Sequence, residues 1–199
     1  MKLFNKWETT GIEYKDLGIQ KYVNLEPRII PHTFGNTNHK SNRKARMNLV
    51  ERLINKMMRS GQGKKKLSGK FIRNRNGCGK KEQLLKAVEE ALDYIYKTTK
   101  ENPVQVLVRA VEFSSPREDI TKLRRGAITY TQAVDVAPIK RLDEAIKNIA
   151  LAAFKNTFKN KAETYKALAD EIITASKNDP KSYAVKRRDE IERIAQGSR

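Results

Sequence analysis

From Leu49 onward the apolar residues fall at helical spacing. Leu49, Val50, Leu53, Ile54 and Met57 recur at three- and four-residue steps and predict a helix with one apolar face. Its other face would carry Arg46, Arg52, Lys56 and Arg59. A second helix is predicted from Leu84, Leu85, Val88, Leu92 and Ile95, with Lys86, Glu89, Glu90 and Asp93 outward. Asn102 and Pro103, a capping side chain and then an imino acid that needs no amide acceptor, open a third helix over Val104, Leu107, Val108 and Val111. Ser114, Ser115 and Pro116 end it. Pro138 opens a long fourth helix carrying Leu142, Ile146, Ile149, Ala153 and Phe154. Ala162 to Ser176 predicts a fifth, through Tyr165, Leu168, Ala169 and Ile172. Asp179 and Pro180 separate it from a sixth, which holds Val185, Ile191 and Ile194.

The period switches from helical to alternating only once. Ile128, Tyr130, Val134 and Val136 alternate with Thr129, Thr131 and Asp135, which predicts a strand. Arg117 to Leu123 is its expected partner, with Arg124, Arg125 and Gly126 as the turn and Gly126 supplying the positive φ of a tight hairpin. Two stretches show no period. Residues 1–39, with Trp7, Tyr14 and Tyr22 irregularly spaced, read as an N-terminal extension able to lie on a partner. Ser60 to Lys81, with Gly61, Gly63, Gly69, Gly77 and Gly79, reads as a loop. The predicted fold is mainly α: a six-helix bundle over residues 40–199, with one protruding β-hairpin at about 117–136 between the third and fourth helices.

Charge changes this picture most. Between Asn36 and Lys81 there are fifteen Lys and Arg residues and a single acid, Glu51, a net +14 within a chain total of +19. A cation density of that order calls for a polyanion, and nucleic acid is the commonest one. The candidate phosphate contacts are Lys40, Arg43, Lys44, Arg46 and Arg59 around the first helix, and Lys64, Lys65, Lys66, Arg73 and Arg75 in the glycine-rich loop. Lys122 in the hairpin, Lys140, Arg141, Lys155 and Lys159 about the fourth helix, and Lys186, Arg187 and Arg188 in the last complete the set. Lysines near the end of a helix also complement its dipole, so only part of the Lys155–Lys159 cluster requires RNA. Arg124 and Arg125 at a hairpin tip are better placed for forked phosphate contacts or base stacking. Tyr130 reads as a cross-strand packing residue.

Other chemistry finds little support. A phosphate-binding P-loop fails because Phe71 follows Gly69-Lys70 and Lys64 stands where the first glycine belongs. Neither His32 nor His39 lies near a nucleophile motif, and the acids Glu89, Glu90, Asp93, Asp143 and Glu144 read as solvated helix faces paired with lysines. No metal or cofactor, small-molecule substrate or membrane partner is expected, and no stretch approaches the roughly 20 apolar residues of a membrane helix. The segment Met1 to Gly11 lacks the apolar run of a secretory signal, and the lone Cys78 fits a reducing cytoplasm. The competing readings are a free double-stranded DNA binder of nucleoid type, supported by charge alone, and a protein interaction module, which leaves the +14 segment unexplained.

Several words of this sequence, in order, resemble the small-subunit ribosomal protein S-seven family in its archaeal and eukaryotic branch. They are Tyr22-Val23-Asn24-Leu25, Ile30-Pro31-His32-Thr33, Asn48 to Asn55, Asn102 to Val108, Leu123 to Ile128, Ala133 to Arg141, Leu168 to Ile173 and Ala184 to Glu190. The resemblance implies a helical bundle with a protruding hairpin, in the head of the small subunit and bound to the 3′ major domain of its rRNA. It further implies that the protein nucleates head assembly, that Arg124, Arg125 and Gly126 lie near exit-site tRNA and the mRNA exit path, and that ribosomal protein S-eleven and other head proteins are neighbours. The implied location is cytoplasmic and ribosome-bound, and the implied role is binding without catalysis.

Overall fold

The computed structural model describes residues 1–35, 43–59, 62–67, 70–73, 79–158 and 160–199. In chain order the elements are α1 (Leu17–Gln20), α2 (Arg43–Arg46), α3 (Leu49–Met57), β1 (Gln62–Leu67), β2 (Lys70–Arg73), α4 (Lys81–Thr99) and α5 (Pro103–Ser114). They continue with β3 (Glu118–Arg125), β4 (Ile128–Asp135), α6 (Pro138–Thr157), α7 (Thr164–Ser176) and α8 (Tyr183–Gln196). Among the described residues, six of the eight helices have nine residues or more. The protein is therefore mainly α, but with two helices and one hairpin beyond the sequence expectation. The extra helices, α1 and α2, are four residues each, too short to show a hydrophobic period. The extra hairpin, β1 with β2, falls in the stretch expected as a loop. Its strands, Gln-Gly-Lys-Lys-Lys-Leu and Lys-Phe-Ile-Arg, pair antiparallel from Gln62↔Arg73 to Leu67↔Lys70 with a register irregularity between Gln62 and Lys66. A ladder rests on backbone bonds, so a lysine-rich strand without alternation escapes a pattern search.

Capping residues set the helix starts. The Asn48 side chain accepts from the Val50 amide at 2.9 Å, Asn102 from Val104 at 3.0 Å and Ser182 from Val185 at 3.3 Å. Pro103 and Pro138 occupy first turns, where no amide partner is lost. Helix α5 is apolar on nearly every side: Val104, Val106, Leu107, Val108, Ala110 and Val111 are all buried. A helix of that kind belongs at a centre, and α5 contacts α4, α6, α7 and α8. Helix α7 packs against α4, α5 and α6, with Ala169 and Ala175 fully buried between them and Leu168 and Ile172 beside.

The N-terminal segment lies along this bundle. Leu3 and Ile19 are wholly buried in the common core, and Phe4, Trp7, Ile12, Tyr14, Tyr22, Val23 and Leu25 pack onto it. Side chains of α5 stand in for a neighbouring strand. Gln105 donates to the Glu13 carbonyl at 2.9 Å and accepts from its amide at 3.0 Å, and Glu112 accepts from the amides of Lys15 and Asp16. Each apolar side chain is buried singly and the backbone is satisfied by amide and carboxylate groups. Such a segment leaves no periodic trace.

Candidate nucleic-acid interface

Two cationic regions are built from described residues. The first lies where α3 packs on α6, around the carboxylate of Asp143. Arg52 Nη2 donates to its Oδ1 at 3.3 Å, Lys56 Nζ lies 3.9 Å from the same oxygen, and Lys44 Nζ donates to Oδ2. Lys147 is beside them, donating to Glu144 at 2.7 Å. Arg52, Lys44, Lys56 and Lys147 thus face two carboxylates, leaving a local surplus of positive charge. Burial alone would raise the Asp143 carboxyl, but the hydrogen bond from Lys44 and the charges of Lys56 and Arg52 outweigh it and hold the group below its ordinary value. Burial and the like charges of Lys44 and Lys147 push Lys56 below its ordinary value too, against the pull of Asp143. An incoming phosphate would relieve that repulsion.

The sign of the Asp143 effect gives a test. A carboxyl held below its unfolded value contributes stability that is present above about pH 4 and lost as pH falls through the folded value. The urea midpoint of the wild type should therefore fall more steeply below about pH 4 than that of Asp143→Asn, which starts lower. Parallel curves would mean that the cations do not stabilise the carboxylate.

The second region is the β3–β4 hairpin. Its register runs without a break from Glu118↔Asp135 to Arg125↔Ile128, leaving Gly126 and Ala127 as a two-residue turn. Gly126 has φ +60°, the left-handed value that the first position of such a turn requires. This corrects the expected turn: Arg124 and Arg125 are the last strand residues, paired with Thr129 and Ile128. Strand alternation therefore puts Arg124 on one face with Lys122, Thr129 and Thr131. Arg124 is exposed and its Nε donates to the Gly126 carbonyl at 3.1 Å. All of β4 except Ala133 is exposed, so the hairpin stands off the core. Helix α8 and the residues after it hold its base: Glu192 accepts from the Arg117 amide at 2.9 Å, and Arg199 pairs with Glu118.

The remaining candidate residues fall into four groups. Arg46, Arg59, Lys122, Lys140, Lys186 and Arg187 are exposed, with Lys140 bonded to Asp119 at 2.8 Å and Arg187 to Glu190 at 2.8 Å. Lys155 lies 5.1 Å over the Tyr183 ring. Arg141 and Arg188 are turned to internal work. Arg141 is buried, donating to Asp16 at 2.5 Å and Ser115 at 3.4 Å, which ties the N-terminal segment to α6. Arg188 donates to the Phe113 carbonyl, to Asn178 and to Asp189, which ties α8 to the end of α5. Lys40, Arg75 and Lys159 lie outside the described residues, as do the side chains of Arg43, Lys64, Lys65, Lys66, Arg73 and Arg125.

Arg52, expected on the polar face of the first long helix, is instead buried, with Nη1 donating to the Tyr22 carbonyl at 3.1 Å. The N-terminal segment and α6 cover Arg52 itself, while Arg46 and Arg59 of the same face stay exposed. Lys147 was not a candidate from sequence, because its place beside Lys56 depends on the α3–α6 packing. Among the described residues no group of His, Cys, Asp and Glu is arranged to hold a metal ion, and no helix is long and apolar enough to cross a membrane.

Comparison with known proteins gives the family. A family model described as "Ribosomal protein S7p/S5e" matches residues 19–199. The small ribosomal subunit protein uS7 of Methanococcus maripaludis is 47% identical over 200 residues, covering 100% of this chain and 99% of the relative. The protein of the same name from Methanococcus aeolicus is 45% identical with the same coverage.

Proposed function

The chain belongs to the ribosomal protein S7p/S5e family, and on that premise we propose that it is a structural, rRNA-binding component of the small ribosomal subunit that works by binding without catalysis. The observation that carries this reading is the surplus of cations around Asp143, next to a +14 segment, on a chain aligned end to end with small-subunit proteins. A folded rRNA junction brings phosphates close together, and a rigid bundle with lysines spread over α3 and α6 holds such a junction in one geometry. The contacts are with backbone, shape and unpaired bases, since the deep groove of an RNA duplex hides its base edges. About ten phosphate contacts would give a log–log salt slope of roughly −7 to −9.

In finer terms, the protein binds the 3′ major domain and nucleates the head, with ribosomal protein S-eleven and other head proteins as neighbours in a cytoplasmic ribosome. Lys44, Arg46, Lys56, Arg59 and Lys147 form the central contact surface. Lys122, Lys140, Lys186 and Arg187 extend it, with Lys40, Arg43, Lys64, Lys65, Lys66, Arg73, Arg75, Lys155 and Lys159 as further contributors from the sequence. Arg141 and Arg188 are set apart, because their guanidinium groups already brace the fold. The hairpin tip at Arg124, Arg125 and Gly126 reaches towards exit-site tRNA and mRNA. In-cell UV crosslinking followed by sequencing tests the reading: reads should concentrate on the 3′ domain of small-subunit rRNA, and recovery of scattered transcripts or duplex DNA would refute it.

Reversal of Arg124 and Arg125 to Glu should leave the circular dichroism spectrum and thermal midpoint unchanged, because Arg124 and nearly all of β4 are exposed and the hairpin stands off the core. Incorporation into subunits should persist while exit-site tRNA occupancy falls. A collapsed fold in this variant would make the tip structural.

A further inference from the structure

One exposed aromatic is unexplained by packing. Phe34 is 77% exposed, yet its backbone has φ +48°, a left-handed conformation that is sterically costly for a bulky L residue. The ring is not loose. It stacks on His32 with centroids 4.2 Å apart and planes at 28°, and the Phe34 amide donates to His32 Nδ1 at 2.8 Å. Between the two rings, Thr33 points inward and is fixed to the bundle. Its amide and its hydroxyl each donate to Glu51 Oε1 at 3.1 Å, and Lys81 Nζ donates to the same oxygen at 2.8 Å. Glu51 is 1% exposed and joins α3 to the first residue of α4. The chain thus holds a flat ring pair out into solvent on a buried, charged mount.

The surroundings indicate what that pair is for. Glu51 is the single acid among the fifteen cations between Asn36 and Lys81, and the mount uses it internally, pairing it with Lys81. A flat aromatic surface that immediately precedes this cationic stretch in the chain suits a nucleobase, whose face is apolar and whose phosphates are anionic. Unpaired bases splayed from RNA loops are commonly held in this way.

We propose that the Phe34–His32 pair is a stacking platform for one unpaired base of small-subunit rRNA. This rests on the rRNA-binding reading above and adds to it a contact that is independent of phosphate charge. The test is equilibrium filter binding of the full chain to a transcript of the 3′ major domain, over a range of salt, with Phe34→Ala, Phe34→Leu and Phe34→Trp. Ala and Leu should weaken binding by about 5- to 100-fold, the range of one base–aromatic stack. Trp should bind as well as the wild type or better, and all three should keep the wild-type salt slope. Equal binding by Phe34→Ala overturns the platform. Full rescue by Phe34→Leu overturns it too, and points to an apolar protein contact made together with the exposed Ile29 and Ile30. A lowered thermal midpoint in Phe34→Ala, large enough to explain its weaker binding, would reduce the ring to a structural role and overturn it as well. Failure of the underlying reading shows separately and earlier: the wild type itself would then prefer duplex DNA to the transcript.

Discussion

Replacing Leu53 with Asp is expected to abolish the cooperative unfolding transition of the bundle. Leu53 is 1% exposed on α3, among Leu49, Val50 and Ile54, where α3 meets α4 and α6. A carboxylate there has no donor arranged to receive it. It must either take up a proton or draw water into the core, and the lost apolar contact adds to that penalty. The combined cost exceeds about 4 kcal/mol, against a total stability of about 5–15 kcal/mol for a domain of ordinary size. Leu53→Met, which conserves volume and polarity, should cost less than about 1.5 kcal/mol. Thermal melts followed by far-UV circular dichroism separate the two. A wild-type midpoint in Leu53→Asp would mean that α3 lies outside the cooperative core. RNA binding should fall with the fold, because α3 carries Arg52 and Lys56 to the Asp143 cluster.

The second large effect is mainly on binding. Lys44, Lys56 and Lys147 together changed to Gln should lower the thermal midpoint only modestly, because Asp143 loses the support of Lys44 and Lys56 but Arg52 still pairs with it inside the fold. Affinity for a 3′-domain transcript should drop by roughly ten- to a hundredfold near 0.15 M salt, since each lysine removed forfeits one phosphate contact and its released counterion. The log–log salt slope should become shallower by about 2 to 3, at roughly 0.7 to 0.9 per contact. An unchanged slope would take these lysines off the RNA. Arg52→Gln makes the contrast: it also removes one cation, but a buried one, so stability should fall while the slope holds.

These expectations show how much of the site could be read along the chain. The sign of the ligand was legible in the run of cations from Lys40 to Lys81, because charge needs no geometry to be counted. Which cations remain available to a phosphate was not legible. Arg141 and Lys140 are adjacent on α6, yet one is buried against Asp16 while the other is exposed. The partner that separates them is distant in sequence and enters only through tertiary packing. Arg188 differs from its exposed neighbours Lys186 and Arg187 for the same reason, since its acceptors lie on α5 and in the turn before α8.

What the sequence by itself determined is whatever repeats locally. The six longer helices and the β3–β4 hairpin were legible because helical and alternating periods, caps and turn glycine act within a few residues of one another. The polyanionic character of the partner followed from composition. Tertiary structure alone decided the rest: the docking of residues 1–35 onto α5, the pairing of lysine-rich β1 with β2, the cluster of α3 and α6 cations on Asp143, and the mount that displays Phe34. Each of these joins groups far apart in the chain, and their energy comes from burial and charge pairing that exist only once the bundle has closed.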